Sequence, residues 1–324
     1  MIITPKELNG HLDDFTVIDI RPTDQRMQFP QIGLNPIVSN NALVPEMDGK
    51  RVLICQFGIV TEGMIIEKDL DDTFSLLGGA QAWDEFYNGQ ADLSRWARQT
   101  VLPEIGIAGQ KKLLNGKVAI VGMGGLGCPV AQSLLTTGIG HLHLIDGDKV
   151  SLSNLHRQPL YSQPDVYKPK VIVAKEKLSK LNSESSIQIT DTFLNEKNVD
   201  GLMSNMDIIV DATDNIETRQ LIDHISKKKN IPMIYGGLFR FEGHVSIFNV
   251  NGSPGYSELF PEKSAGEDNC ENAGVLGMLP GIIGNIQALE AVKLFVGIEP
   301  NLIGKLLIYD GKSHKTEILS LIHI

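Results

Sequence analysis

A short glycine-rich stretch is followed by carboxylate, amide and cationic side chains that together could bind a phosphate. The glycines are Gly122, Gly124, Gly125 and Gly127. Since they lack Cβ atoms, the chain can turn sharply there and bring its backbone N–H groups to a phosphate at the N-terminus of the next helix. Asp146 could hold ribose hydroxyls, and Asn154, Arg157 and Lys170 add more polar and cationic groups than a ribose and a pyrophosphate bridge need. The set predicts a site for a nucleoside triphosphate that reacts.

A βαβ unit is needed to place these side chains, and the hydrophobic pattern predicts one. Apolar residues at 118–121 run into the glycine turn, a helical pattern follows, and a second apolar run ends on Asp146. Apolar runs at 187–192 and 206–212 predict a third and a fourth strand. Because ligands bind at the carboxyl ends of such strands, the pattern predicts a Rossmann-like doubly wound α/β sheet whose loops form the site.

Two polar residues, Asp214 and Asn215, follow the fourth predicted strand. The Asp214 carboxylate could hold magnesium, a hard cation that takes carboxylates together with substrate phosphates. The alternative is that Asp214 or Asn215 caps the next helix, and this role is compatible with a place in the site. Within the second predicted strand, His141 and His143 alternate, which predicts that both lie on one exposed face.

Composition limits the classes of protein that remain. The chain has 324 residues, enough for two domains, with 42% hydrophobic and 21% charged residues and a formal net charge of −10. This acidic balance argues against a nucleic-acid partner. The three cysteines are widely spaced and odd in number, which predicts neither a disulfide framework nor a zinc knuckle and favours a reducing cytoplasm. The start has no signal-peptide pattern, and the most apolar segment, 273–283, is about half the ~20 residues of a membrane-spanning helix, so no membrane is expected.

The first 90 residues predict a separate small α/β domain, with the second domain over 91–324. Motifs in this first part resemble a single rhodanese domain. They are Asp19-Ile20-Arg21, Cys55 with Gly58 and Thr61, and Leu77-Gly78-Gly79 leading to Trp83. The resemblance implies that Cys55 carries a persulfide held by the backbone amides of the loop that follows.

The loop after Cys55 departs from the rhodanese pattern. Gln56, Ile59 and Val60 stand where rhodaneses commonly carry arginines, so the thiolate has fewer positive neighbours. Two interpretations remain open, a persulfide carrier and a small buried cysteine in a domain kept for docking.

Six motifs, in order from about residue 91 to 311, resemble the ThiF/MoeB/HesA family, bacterial relatives of the ubiquitin-activating enzymes. They are RxxRQ at 95–99, GMGGLG, Asp146, SNLHRQ, Lys170 after a proline, and DATDN. The resemblance implies a homodimeric enzyme that binds magnesium ATP. It further implies that the enzyme adenylylates the C-terminal glycine of a ubiquitin-like sulfur carrier and releases pyrophosphate.

The resemblance also assigns roles to residues. Gly122, Gly124 and Gly125 would approach the nucleotide, Asp146 would hold the ribose, and Asn154, Arg157 and Lys170 would contact phosphates. Asp214 would serve the metal, and Asn215 beside it would belong to the nucleotide site. Arg98 would reach into the partner subunit's site. Cys270 aligns with a family cysteine that becomes linked to the carrier or its sulfur, although a loop thiol without chemistry is the alternative.

The C-terminal third carries two further expectations. Residues 231–250 predict two strands in which Gly236-Gly237 allows close backbone approach, as an extended Gly-Gly tail would need. Many family members hold a structural zinc with two CxxC pairs, but this chain has Gly255 and Glu258 at the places of one pair and no cysteine after Cys270. Zinc is therefore not expected.

The sequence thus predicts an adenylyltransferase that activates a Gly-Gly-ended carrier of the ThiS or MoaD type. A fused rhodanese-like domain would supply sulfur, obtained from a donor such as a cysteine desulfurase, to form a thiocarboxylate for thiamin or molybdopterin synthesis. Three alternatives remain. They are a nicotinamide oxidoreductase, a relative that activates a carboxylate on a tRNA nucleoside, and a non-catalytic module that binds a carrier.

Overall fold

The computed structural model describes residues 1–29, 31, 33–39, 44–45, 47–87, 93–260 and 274–321. By its internal contacts the chain divides into two compact units, Met1–Gln110 (unit 1) and Lys111–Ile324 (unit 2). The predicted boundary at residues 90 and 91 falls outside the described residues and stays a prediction.

Unit 1 is built on a five-stranded, all-parallel sheet with the order β1-β5-β4-β2-β3. The strands are β1 (Ile2–Ile3), β2 (Thr16–Asp19), β3 (Ile37–Val38), β4 (Arg51–Ile54) and β5 (Thr73–Leu76). Helices are α1 (Pro5–Gly10), α2 (Thr23–Gln28), α3 (Ile59–Glu67), α4 (Gly79–Tyr87) and α5 (Ala97–Thr100), with short 3-10 turns at Leu12–Asp14 and Ser94–Trp96. Val52, Leu53 and Ile54 of the central strand are all buried, as expected for a parallel strand covered on both faces.

Unit 2 contains an eight-stranded mixed sheet with the order β13-β12-β11-β10-β9-β6-β7-β8. The strands are β6 (Lys117–Val121), β7 (His141–Ile145), β8 (Ser186–Thr190), β9 (Ile208–Asp211), β10 (Met233–Phe239), β11 (Glu242–Phe248), β12 (Lys305–Asp310) and β13 (Lys315–Ser320). From β8 to β10 neighbouring strands pair in parallel, and from β10 to β13 they pair antiparallel. The predicted α/β fold class is thereby confirmed, including the third and fourth strands and the pair predicted within 231–250.

Helices cover both faces of this sheet. They are α6 (Gly106–Asn115), α7 (Gly127–Thr137), α8 (Lys170–Leu181), α9 (Val199–Leu202), α10 (Ile216–Lys229), α11 (Tyr256–Leu259) and α12 (Leu279–Val296), with 3-10 turns at Leu152–Asn154 and Gln163–Asp165. Alternate β6 residues enter two cores. Val118 packs in one core with Leu134 of α7, and Ala119 packs in the other with Ile222 of α10. Because successive side chains of a strand point to opposite faces of the sheet, β6 supplies residues to both cores.

Two observations on single elements follow from this layering. His143 is 1% exposed and its Nε2 lies 2.8 Å from Thr190 Oγ1, so the predicted exposed face of β7 is wrong for this residue. Burial lowers the pKa of His143. Helix α12 is long and apolar enough to cross a membrane by length and composition alone, but half of its most apolar window is buried, and Ile283 and Ala291 pack in the unit 2 core.

The segment after β11 is held by Asp223 of α10. Its buried carboxylate accepts hydrogen bonds from the backbone N–H groups of Tyr256 at 2.8 Å and Ser257 at 3.1 Å. A Cβ at Gly255 would lie 2.8 Å from Asp223 Oδ1, and Glu258 Oε1 pairs with Lys227 Nζ at 2.8 Å. These residues do not fit a thiolate zinc site, because one position has no room for a side chain and the other presents a carboxylate that is already paired.

The glycine turn that precedes α7 is packed without spare room. A Cβ on Gly127 would lie 1.9 Å from the carbonyl oxygen of Gly122, and Gly122 itself has a positive φ of 94°. The first turn of α7 therefore approaches the end of β6 more closely than any residue with a side chain would allow.

We expect Gly127→Ala to lower the free energy of unfolding of unit 2 by at least about 3 kcal/mol, because the added methyl group meets backbone rather than a movable side chain. Gly281→Ala in α12 is the matched control, since nothing lies within 4 Å of its Cβ position. It should raise stability by about 0.5–1 kcal/mol through helix propensity. Chemical denaturation followed by circular dichroism compares the two, and equal effects would contradict the close packing.

Candidate functional site

A cavity of about 660 Å³ opens in unit 2 where β6, β7 and β9 end. Nine residues predicted from the sequence line it together, and they are Gly122, Gly124, Gly125, Asp146, Asn154, Arg157, Lys170, Asp214 and Asn215. They come from five separate segments of the chain, brought to one edge by the parallel sheet. Their individual roles stay predictions.

Of the three remaining predicted residues, two belong to unit 1. Arg98 belongs to unit 1, where its side chain is 71% exposed and forms an ion pair with Glu62. Cys55 also belongs to unit 1 and directly follows β4. Cys270 lies outside the described residues.

Asp146 is held by the backbone around it. Its carboxylate accepts hydrogen bonds from the N–H groups of Met123 at 2.6 Å and Asp148 at 2.7 Å. Burial raises the pKa of Asp146, while Lys170 and these two N–H groups oppose the rise. Tyr161 donates a hydrogen bond from its hydroxyl to the Met123 carbonyl at 2.8 Å, which helps to fix the glycine turn. This residue was not identified from the sequence.

Lys170 is the first residue of α8, and its side chain is almost fully buried. Its Nζ lies 2.8 Å from Asp148 Oδ2 and 3.9 Å from Asp146 Oδ2. A buried ammonium needs a compensating negative charge nearby. The two carboxylates offset the charge of Lys170 and fix its Nζ in the cavity wall. Asp148 was assigned no role from the sequence. Its place two residues after Asp146, in the loop that follows β7, was the available signal.

Arg157 and Gln158 also line the cavity, after the 3-10 turn at Leu152–Asn154. Arg157 is half-buried and donates from Nη1 to the Ser153 carbonyl at 3.2 Å. Gln158 is buried, and among the described residues its Oε1 has no hydrogen-bond partner. The motif SNLHRQ thus presents a cation and an amide acceptor to the cavity.

Asn215 fills the helix-capping role that the sequence left open between Asp214 and Asn215. Asn215 is the N-cap of α10, since its side chain accepts the Thr218 N–H at 2.8 Å. Asp214 is exposed and lines the cavity. An exposed carboxylate at this edge fits a hard cation, and magnesium would complete its oxygen ligands with nucleotide phosphates and water. Within the described part of the chain no cluster of three or more His, Cys, Asp or Glu could hold a metal, so such an ion would depend on those phosphates.

Arg219 and Asp211 form a buried pair beneath the cavity. The Arg219 Nε lies 3.2 Å from Asp211 Oδ2, and its Nη2 donates to the carbonyls of Thr213 at 2.7 Å and Gly236 at 3.1 Å. The guanidinium also lies 5.1 Å from the centroid of the Tyr235 ring. One side chain therefore joins the ends of β9 and β10. Sequence reasoning missed it, although an arginine one turn into the helix after a strand that ends on aspartate was a usable signal.

Packing within unit 2 explains why β10 has glycine at positions 236 and 237. A Cβ on Gly236 would lie 2.5 Å from the Gln287 amide, and a Cβ on Gly237 would lie 2.2 Å from the Tyr235 hydroxyl. Gln287 in turn donates to the Asp211 carbonyl at 2.8 Å. The packing of these two side chains thus accounts for both glycines without a bound peptide tail.

Arg219→Gln should lower the free energy of unfolding by about 3–5 kcal/mol at pH 8, because it leaves a fully buried carboxylate without its cation. Burial raises the pKa of Asp211 and Arg219 opposes the rise, so the variant should raise this pKa further. At pH values between the ordinary pKa and the raised pKa of Asp211, this carboxyl group is then protonated in the folded variant and ionised in the unfolded chain. Stability is lost as pH rises through that range, so the deficit should shrink from pH 8 to pH 5.

Denaturant unfolding of wild type and Arg219→Gln at several pH values measures this difference. The double variant Asp211→Asn/Arg219→Gln carries no buried charge and should recover part of the loss at pH 8. A deficit that is the same at every pH would show that Asp211 does not titrate as expected.

Comparison with known proteins places this geometry in a family. The model of the ThiF family matches residues 96–323. A Drosophila sechellia protein named adenylyltransferase and sulfurtransferase MOCS3 is 41% identical over 68% of this chain and 49% of its own length. A probable molybdopterin-synthase adenylyltransferase of Porphyra purpurea is 38% identical over 72% of this chain and 62% of its own. The chain therefore spans less than two thirds of either relative.

A solved structure gives the same result for the fold. The crystal structure of Escherichia coli MccB with ATP matches 70% of this chain and 71% of that chain, with a TM-score of 0.63 and 25% identity.

Proposed function

The chain belongs to the ThiF family, and on this basis we propose that unit 2 binds ATP with magnesium and adenylylates the C-terminal glycine of a ubiquitin-like sulfur carrier. The observation that carries the proposal is the cavity that gathers the buried Asp146 carboxylate, two cations and an exposed carboxylate at the strand ends. The names of the two curated relatives support an adenylyltransferase that serves molybdopterin synthesis. The similarity to MccB, which was crystallised with ATP, supports ATP as the nucleotide.

The reaction follows from the charges in this cavity. A carboxylate oxygen of the carrier attacks the α-phosphorus of ATP, and the bond from that phosphorus to the oxygen that bridges the α- and β-phosphates breaks. Pyrophosphate leaves, and the carrier is left as an acyl-adenylate. Lys170 and Arg157 offset the charge that grows on the phosphoryl oxygens and on pyrophosphate. Asp214 would hold magnesium, which would supply further positive charge at the leaving group. No general base is needed, because a C-terminal carboxylate is ionised near neutral pH.

A homodimer forms part of the proposal. Met278, Ile282 and Leu289 are exposed apolar residues on and next to α12, at spacings that place them along one side of the helix. An apolar stripe of this kind supports association with a second copy. The exposed Arg98 would then be free to exchange its Glu62 partner for phosphate in the partner subunit's site.

Sulfur transfer is assigned to unit 1, which we propose to be rhodanese-like. Cys55 follows the central strand, and its Sγ accepts the Gly58 N–H at 3.1 Å and lies 3.5 Å from Thr61 Oγ1. The buried Arg21 pairs with Asp19 at 3.0 Å and donates to Gln56 Oε1 at 3.2 Å, which fixes the loop after the cysteine. The Gly58 N–H, which donates to Sγ, suits a sulfur that carries negative charge.

In the proposed sequence of steps, a cysteine desulfurase loads Cys55 as a persulfide. Its terminal sulfur attacks the acyl carbon of the adenylate, and AMP leaves with the electrons of the C–O bond. A thiol then attacks the Cys55 sulfur of the resulting acyl disulfide, so that the S–S bond breaks, the carrier thiocarboxylate leaves and a mixed disulfide forms on Cys55. A second thiol reduces this mixed disulfide and restores the Cys55 thiol. Tethering unit 1 to unit 2 raises the effective concentration of the sulfur donor.

Carrier-dependent exchange of labelled pyrophosphate into ATP tests the adenylylation. Asp214→Ala should lower the exchange rate at least about 100-fold, because it removes the carboxylate proposed to hold magnesium at the reacting phosphates. Asp13→Ala, which truncates an exposed aspartate of unit 1, is the matched control and should exchange at the wild-type rate. A carrier that lacks its last glycine should support no exchange. The proposal is wrong if the protein binds ATP yet exchanges with no Gly-Gly-ended carrier.

A thiosulfate-to-cyanide sulfur transfer assay tests unit 1. Cys55→Ser should reduce the rate to that of the uncatalysed reaction, because the persulfide can no longer form. Cys128→Ser is the control, since burial raises the pKa of the Cys128 thiol to about 12 and keeps it protonated. Activity that survives in Cys55→Ser, or is absent from wild type, would contradict the assignment of sulfur transfer to Cys55.

A further inference from the structure

The segment between β8 and α9 directs an aromatic ring into the cavity. Phe193 lines the cavity, yet its side chain is 62% exposed, whereas the next residue, Leu194, is buried in the unit 2 core with Val199 and Met203. The ring therefore contributes little to the core. An apolar ring of this size in contact with water leaves a hydrophobic surface that a ligand could cover.

The backbone that carries this ring is fixed in place. The Phe193 carbonyl accepts hydrogen bonds from Asn198 Nδ2 at 2.9 Å and from Asn195 Nδ2 at 3.3 Å. The two asparagines are joined by a bond from the Asn195 N–H to Asn198 Oδ1 at 2.8 Å. A ligand that packs on the ring would therefore lose little free energy to ordering the backbone.

The ring lies against the loop that carries the ribose-binding carboxylate. A Cβ on Gly147, the residue between Asp146 and Asp148, would lie 2.8 Å from Phe193 Cδ2 and 2.9 Å from Cγ. The absence of a side chain at Gly147 lets the ring approach this loop. The cavity lining beside it is also apolar, with Ile145 at the end of β7 and Leu194.

We propose that Phe193 packs its ring against the base of the bound nucleotide and is a binding residue of the adenylylation site. This inference rests on the proposed function, because it takes ATP as the ligand and Asp146 as the group that holds its ribose. A ribose held at Asp146 brings the attached base to the apolar lining beside Phe193, while the phosphates reach Lys170 and Arg157. The ring offers a π surface and no hydrogen bond, so it strengthens binding of a purine without selecting which purine.

Calorimetric titration of the full chain with a non-hydrolysable ATP analogue, a GTP analogue and inorganic tripolyphosphate tests this role. Phe193→Ala should weaken binding of both nucleotides about 10-fold, in line with the loss of one base–aromatic contact. Tripolyphosphate, which has no base, should bind wild type and variant equally. Phe193→Trp should restore nucleotide binding, and Phe241→Ala, which removes an exposed ring that does not line the cavity, should leave it unchanged.

The outcomes separate the inference from the function on which it rests. Wild-type protein that binds no ATP would overturn the proposed function and the role of Phe193 together. Wild-type binding that Phe193→Ala does not weaken, or that it weakens equally for tripolyphosphate, would overturn the role of Phe193 alone. Because the ring is exposed, the melting temperature of Phe193→Ala should match wild type, and this separates a binding effect from unfolding.

Discussion

Buried carboxylates at the ends of parallel strands are the constraint on which the rest of the structure depends. Asp146 follows β7 and Asp211 ends β9, and each accepts the backbone N–H two residues later, at 2.7 and 3.0 Å. A carboxylate in this position satisfies the backbone where the strand stops, but its charge must then be compensated. The cation comes from the following helix in both cases, with Lys170 opening α8 and Arg219 in the first turns of α10. In unit 1, Asp19 at the end of β2 likewise accepts the backbone N–H two residues later, but its cation is the side chain of that same residue, Arg21, which precedes α2.

This arrangement separates the charges that hold the cavity from those that remain accessible in it. Asp211 and Arg219 pair with each other, and Arg219 joins the ends of β9 and β10. Lys170 pairs with two carboxylates, those of Asp146 and Asp148. The charged lining groups with greater exposure are Arg157, Asp148 and Asp214. On the proposed function, an incoming triphosphate would meet the half-buried Arg157 and the exposed Asp214 carboxylate, on a wall where Lys170 and Arg219 are already paired with carboxylates. Preorganised charge of this kind needs little rearrangement when the reaction begins.

The sequence was sufficient for the parts of this site that depend on local pattern. The apolar runs predicted the strands, and since parallel strands share one carboxyl edge, the polar residues after each run could be placed together from the pattern alone. Residues defined by tertiary contacts could not be found this way. Nothing in the spacing says that Arg219 reaches the Gly236 carbonyl of another strand, or that Tyr161 lies under Met123. The prediction for His143 was wrong because strand alternation assumes one solvent face, whereas helices cover both faces of this sheet.

The two described cysteines show how the chemistry is divided between the units. Both are nearly inaccessible, so exposure alone does not distinguish them. Cys128 lies in the first turn of α7, where its Sγ lies 3.6 Å from the Met123 carbonyl oxygen, an acceptor that favours the protonated thiol, and burial raises its pKa to about 12. Cys55 instead receives a backbone N–H at the start of a helix, where a negative sulfur is stabilised. Burial and this carbonyl thus keep the Cys128 thiol protonated and unreactive, whereas the thiol that the proposed function uses for sulfur transfer, Cys55, lies in unit 1.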